Sequence, residues 1–217
     1  MSTYRILNAS ESRSFPEPHA FLSQAAADGA GIVIIGRHAG QAFRSLSERD
    51  SFAFVAIELG SECLGEHTGE AISAPASNVV GFARFRLGEA SPSNLVEVVK
   101  QANTRPDAVD CARKAFAAAG LRTAVCNDFP GRIVDRLIRP FYNAVLRRYD
   151  EGLASADDLD KTLCLGLGYP EGPLGLLYRT GLEHHFDVCR TLFEALGQEP
   201  YSPARRARVA AAVTRPR

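Results

Sequence analysis

Apolar residues in the first half of the chain come in short, unbroken runs. Residues 32–35 are Ile-Val-Ile-Ile between glycines, and 52–59 are Phe-Ala-Phe-Val-Ala-Ile-Glu-Leu. Residues 79–85 are Val-Val-Gly-Phe-Ala-Arg-Phe, and 95–99 are Leu-Val-Glu-Val-Val. Runs of this length, rich in β-branched residues, predict strands buried on both faces, as in parallel sheets. A fifth, shorter strand is expected at 123–126. Helices are expected between them, at 21–27, 41–49 and 104–119. In the last of these Thr104 can cap, Pro106 falls in the first turn, and Val109, Ala112 and Phe116 share a face before Gly120. Residues 1–30 otherwise read as an irregular or helical lead-in, and 60–78 as loops with a broken helix. Strands alternating with helices predict an α/β layer with parallel strands.

The period changes near Asp128. Residues 131–151 form a long amphipathic pattern, with Ile133, Leu137, Ile138, Phe141, Val145 and Tyr149 on one side and Pro140 inside; that apolar face can serve association or close the domain's own core. Ser155 followed by Asp157 and Asp158 reads as a capped helix start that runs to about 165. Residues 166–173, Gly-Leu-Gly-Tyr-Pro-Glu-Gly-Pro, read as a rigid turn, and helices are expected at 182–196 and 203–213. The second part is therefore expected to be all α. The division falls into an α/β domain over 1–127 and a helical domain over 128–217.

The 217 residues balance 25 basic against 25 acidic side chains. Zero net charge argues against a nucleic-acid binder driven by bulk charge. No apolar run is long enough to span a membrane, and residues 1–14 lack an apolar signal core. Cys63, Cys111, Cys126, Cys164 and Cys189 are odd in number and show no CxxC spacing, so neither a disulfide framework nor a zinc knuckle is expected. The expected compartment is the cytoplasm.

Candidate chemistry is sparse. Gly31, Gly36 and Gly40 bracket the first apolar run but lack the GxGxxG spacing of a dinucleotide cradle, and no Walker Lys-Ser/Thr follows. They read as glycines bounding a buried strand. Cys63, Glu66, His67 and Glu70 lie near one another, but Gly65 and Gly69 spoil a ligand-bearing helix, and no metal is expected. His185 and Cys189 share a helix face while His184 points elsewhere. Arg205, Arg206, Arg208, Arg215 and Arg217 read as a solvated basic face.

Three segments in order carry a resemblance. They are Asp-Phe-Pro-Gly-Arg-Ile-Val-Asp-Arg at 128–136, Glu-Gly-Leu-Ala-Ser-Ala-Asp-Asp-Leu-Asp at 151–160, and Gly-Leu-Gly-Tyr-Pro-Glu-Gly-Pro at 166–173. They resemble the D-x-P-G-F-I-V-N-R, E-G-V-A-S-x-E-D-I-D and G-x-G-Y-P-x-G-P segments of the 3-hydroxyacyl-CoA dehydrogenases. Upstream, 79–85 is similar to the family's V-V-G-L-H-F-F and 95–99 to its L-V-E-V-V. The chain looks most like the second, degenerate repeat of the two-repeat members of phenylacetate catabolism, standing by itself.

The resemblance implies a reduced Rossmann-like sheet followed by the family's helical C-terminal domain. It also implies a site. In the family a His in the first segment takes the hydroxyl proton, and the Glu of the second supports it while hydride leaves for NAD. Glu97 keeps the second position, and Asp135 stands where the family has Asn. The His position holds Ala83, or Phe85 if counted from Glu97 without a gap. No glycine fingerprint or ribose-binding acid can be placed, so no cofactor is expected, with NAD the expectation if the chain is active. The preferred expectation is a catalytically impaired member that acts as a homodimer or pairs with a full-length dehydrogenase. The alternatives are an active NAD-dependent enzyme with Glu97, Asp135 and a displaced base such as His38 or His67, and an acyl-CoA-binding module without redox chemistry.

Overall fold

The computed structural model describes residues 3–71 and 73–214, so Arg215 and Arg217 of the basic tail lie outside the described residues. The chain divides into two compact units: Met1–Arg86 with Pro92–Ile133, and Leu87–Ser91 with Val134–Arg217.

The first unit holds a six-stranded sheet: β1 (Tyr4–Asn8), β2 (Gly31–Ile35), β3 (Val55–Glu58), β4 (Val79–Arg84), β5 (Leu95–Lys100) and β6 (Arg122–Asn127). The spatial order follows the chain order from β1 to β6. The apolar runs sit where expected, and β2, β3 and β4 are buried along their whole length. Alternate residues feed two cores. Val33, Phe54, Val80, Phe82 and Val98 pack with Phe21 of α1 (Ala20–Ser23) and Phe116 of α4 (Pro106–Ala118). Ile32, Ile34, Val55, Ile57 and Val99 pack on the other face with Phe43 of α2 (Ala39–Ser45) and with Leu64, next to α3 (Gly65–Thr68).

Three expectations change here. Residues 4–8 are a strand rather than lead-in, paired parallel to β2 from Tyr4↔Gly31 to Asn8↔Ile35. The sheet is also not wholly parallel: β4 and β5 are antiparallel, while β5 and β6 are parallel. A β-branched run is the same in either direction, so composition could not reveal this reversal. Thr104 does not cap α4. Arg105 occupies that position, and the Thr104 hydroxyl accepts from Gln101 and donates to the Val79 carbonyl.

The second unit is helical: the body of α5 (Arg132–Asp150), then α6 (Ala156–Leu167), α7 (Pro173–Thr180), α8 (Leu182–Leu196) and α9 (Arg205–Thr214). Ser155 caps α6 by accepting from Asp158 N–H, and Gly168 ends it in a left-handed conformation. The expected turn at 166–173 stops at Pro173, which opens α7, a helix hidden by its glycines.

The apolar residues of α5 do not share one environment: Val145 is buried, while Ile133 is 38% exposed. Leu137 is 73% exposed, whereas Asp135, Arg139, Tyr142, Asn143 and Leu146 are buried. A spacing of four, three and four along Asp135, Arg139, Tyr142 and Leu146 is a helical stripe, but half of it is polar. Among the described residues, no helix is long and apolar enough to cross a membrane.

Candidate active site

Parallel strands β1 to β3 bring their C-terminal ends to one edge, the edge where α/β sheets bind ligands. Dinucleotide-binding sheets do so where the strand order reverses; here the order never reverses. Four successive backbone donors at this edge, Gly36 to Ala39, have acceptors within the chain. Gly36 N–H and Ser14 N–H both donate to the Glu58 carboxylate, each at 2.6 Å. Arg37 N–H donates to Glu11 O, His38 N–H to Ala9 O and Ala39 N–H to Gly36 O. The loop of residues 9–15 therefore lies across the end of β2. Gly36 has φ +107°, and a Cβ there would sit 2.4 Å from Ser10 O. Gly40 allows another close approach, since its Cβ would lie 2.2 Å from the ring of His67. The glycines around β2 thus make room for the protein's own segments, and Glu58, 94% buried, is the anion at the edge.

Glu97 lies in β5, and its cross-strand partner in β4 is Ala83. Directly opposed residues of an antiparallel pair point to the same face with Cβ atoms about 5 Å apart. The register therefore puts Ala83, not Phe85, at the place where a side chain would meet Glu97. Glu97 is buried; it accepts from Ile133 N–H at 2.8 Å and lies 3.7 Å from Arg132 Nε. Arg132 is 5% exposed, has φ +51°, and donates to Gly60 O through Nη2. Nearby, the Cys126 thiol is pushed up to about 11, by burial first and by the Glu97 charge second, with Arg132 opposing.

Neither histidine weighed as a displaced base reaches this group. His38 is exposed at the start of α2. His67 Nε2 faces Glu62 Oε1 at 3.4 Å, and its Nδ1 is buried. The acidic groups beside it meet differently from the sequence reading. Cys63, Glu70 and Asp128 place one ligand-type atom each within 4.8 Å, but both Asp128 oxygens accept backbone N–H groups, from Leu64 and Gly65 at 2.7 Å. That carboxylate caps the first turn of α3.

In the helical unit, Asp135 sits on the buried stripe of α5, and its Oδ1 accepts from Arg139 Nε at 2.7 Å. Arg139, fully buried, also donates through Nη1 to His185 Nδ1 at 3.1 Å. That bond fixes the tautomer: Nδ1 accepts, so Nε2–H donates to Asn143 Oδ1 at 3.1 Å. Asn143 in turn donates to Pro200 O and accepts from Ala204 N–H. Cys189 joins the group at 3.5 Å from His185 Nε2, and burial pushes its thiol up to about 12. Sequence reasoning placed His185 and Cys189 on one face but missed Arg139 and Asn143, whose only signal was polarity inside an otherwise apolar period.

Burial, and then the Arg139 charge, hold the His185 pKa well below its ordinary value. The unfolded chain takes up this proton first as pH falls. The stabilising contribution is therefore complete above about pH 6.5 and is lost on acidification toward the depressed folded value. We expect wild-type stability to fall more steeply below pH 6.5 than that of His185→Gln, by up to about 1.4 kcal/mol per pH unit. Urea midpoints measured across this range check it; equal slopes would contradict it.

The sheet and the helices are a Rossmann-like domain followed by a helical domain. Residues 131–214 match the family model described as 3-hydroxyacyl-CoA dehydrogenase, C-terminal domain. The chain is 39% identical over 89 residues to the human mitochondrial hydroxyacyl-coenzyme A dehydrogenase, covering 41% of this chain and 28% of that one. It is 30% identical over 109 residues to the 3-hydroxybutyryl-CoA dehydrogenase of Bradyrhizobium diazoefficiens, covering 50% and 37%. The structure of 3-hydroxybutyryl-CoA dehydrogenase from Escherichia coli K12 shares the fold, with TM-score 0.72, 22% identity, and 93% of this chain and 42% of that one covered. The chain thus spans less than two fifths of these two relatives' lengths.

Proposed function

We propose that this chain is a 3-hydroxyacyl-CoA dehydrogenase family protein of acyl-CoA catabolism that performs no hydride transfer by itself and serves as a dimerisation or partner subunit. The observation that carries this reading is the donor accounting at the end of β2. Each of the four N–H groups from Gly36 to Ala39 already has an acceptor inside the chain. A dinucleotide phosphate needs such groups unspent at a helix start. These four donors are therefore not free for an NAD phosphate, and the buried Glu58 carboxylate would oppose a phosphate there by like charge. The pairing of Glu97 with Ala83 supports the same reading, since Ala carries no proton to move.

The partner role is supported by the outside of the helical unit. No residue of α6 is buried, and Leu165 and Leu167 are 80% and 68% exposed. Exposed leucines on a small unit are in keeping with an association role. Isothermal titration with NADH tests the reading without any guess about the acyl group. We expect no saturable heat up to millimolar NADH. Binding in the micromolar range would restore the family's NAD-dependent chemistry to this chain. Affinity for a CoA thioester without affinity for NADH would make it an acyl-CoA-binding module instead.

A further inference from the structure

Resting on the reading that the chain acts through association, we propose that the open outer edge of β1 pairs with a second copy of this chain, β1 antiparallel to β1 across a two-fold axis at Leu7. Among the described residues β1 ends the sheet, whereas the first strand of a doubly wound sheet lies inside it. Thr3 O accepts from Gly31 N–H, and Ala9 N–H donates to Ile35 O. The backbone groups of Arg5 and Leu7 therefore face β2, and those of Ile6 and Asn8 face outward. Among the described residues, the N–H and C=O of Ile6 and Asn8 have no partner.

Native edge strands are shielded by lysine, proline, a bulge or a covering segment. β1 holds neither lysine nor proline, and its register with β2 is unbroken over Tyr4–Asn8. Its cation, Arg5, donates through Nε to Gly29 O of its own chain at 3.1 Å. The edge is covered at Tyr4, whose carbonyl accepts from Ala26 N–H at 2.9 Å. What fits the remaining stretch is the stretch itself. A two-fold at Leu7 sets Ile6 of one copy opposite Asn8 of the other. Each open N–H then meets an open carbonyl, and none is left over. The two copies of Leu7 form the close, non-hydrogen-bonded pair, with Cα atoms about 4.5 Å apart. Arg5 faces Ala9, so no like charges oppose each other. The pairing also extends both cores. Ile6 lies beside Val33 of one core and Leu7 beside Ile34 of the other, and Leu7 is 36% exposed where that second apolar layer stops. An unrelated strand would need an apolar residue at that one place; a second copy supplies it by symmetry.

Sedimentation velocity of the full chain over micromolar concentrations, with Leu7→Lys beside it, tests the pairing. Wild type should dimerise. Leu7→Lys sets two like charges face to face and should weaken the dimer by about tenfold or more. If the lysine variant does not fold, cross-linking decides. Leu7→Cys oxidised with copper phenanthroline should give a covalent dimer, with the bond located between the introduced thiols by mass spectrometry, because that pair is within disulfide reach. Arg5→Cys should give none, since the two-fold places its two copies about 14 Å apart. A wild type that stays monomeric, a dimer indifferent to Leu7→Lys, or a link that forms as readily at position 5 as at position 7 overturns the inference. The second of these leaves association standing and removes only its location at β1. NADH titration is blind to this edge, so the absence of hydride transfer and the β1 interface fail separately.

Discussion

Arg139→Met should destabilise the helical unit by about 3–5 kcal/mol, the usual cost of removing one partner from a buried ion pair. Arg139 is fully buried and joins Asp135 to His185. Methionine fills most of the volume but leaves a nearly buried Asp135 carboxylate without its cation and the His185 Nδ1 without its donor. A typical domain holds only about 5–15 kcal/mol in total, so the loss would be visible at room temperature. Denaturant unfolding followed by circular dichroism measures it. Adding Asp135→Asn should recover part of the loss, since the amide carries no charge to strand. A cost under about 1 kcal/mol would mean that the network is replaceable by packing alone.

The second large effect is expected at Glu58. Glu58→Ala strips the acceptor from two N–H groups, of Gly36 and Ser14. A buried donor left unmet costs about 1–3 kcal/mol, so the pair predicts a loss of about 2–6 kcal/mol. Hydrogen exchange should place the damage locally. The amides of Gly36 and Ser14 lose protection first, while those of β5 and β6, away from this edge, keep theirs. Glu58→Gln keeps an acceptor for one of the two donors and should cost less. If Glu58→Ala is neutral and both amides stay protected, the carboxylate does not organise this edge.

The sheet was legible wherever one rule sufficed. Residues 32–35, 79–84 and 95–100 are strands because a continuous β-branched run has few other uses. β1 escaped because Tyr-Arg-Ile-Leu-Asn is an edge strand with Arg5, Leu7 and Asn8 exposed or nearly so, and therefore shows no buried run. The polar part of the buried stripe of α5 escaped for the opposite reason. Apolar period points outward through Leu137, while Arg139 and Asn143 turn inward because each finds a polar partner on α8. Pairing across space is invisible in one sequence. The site shows the same limit. Glu97 and Ala83 could be placed from the resemblance, but the choice between Ala83 and Phe85 required the register. Glu58 showed only as a charge ending an apolar run, and Arg132 only as a departure from the family segment.

The central claim is that the chain transfers no hydride by itself, and turnover tests it most directly. Purified protein is mixed with acetoacetyl-CoA and NADH, and the NADH absorbance is followed over a wide range of protein concentrations. The account predicts a rate equal to that of the protein-free mixture at every concentration. A rate that rises in proportion to protein and saturates with acetoacetyl-CoA would contradict it.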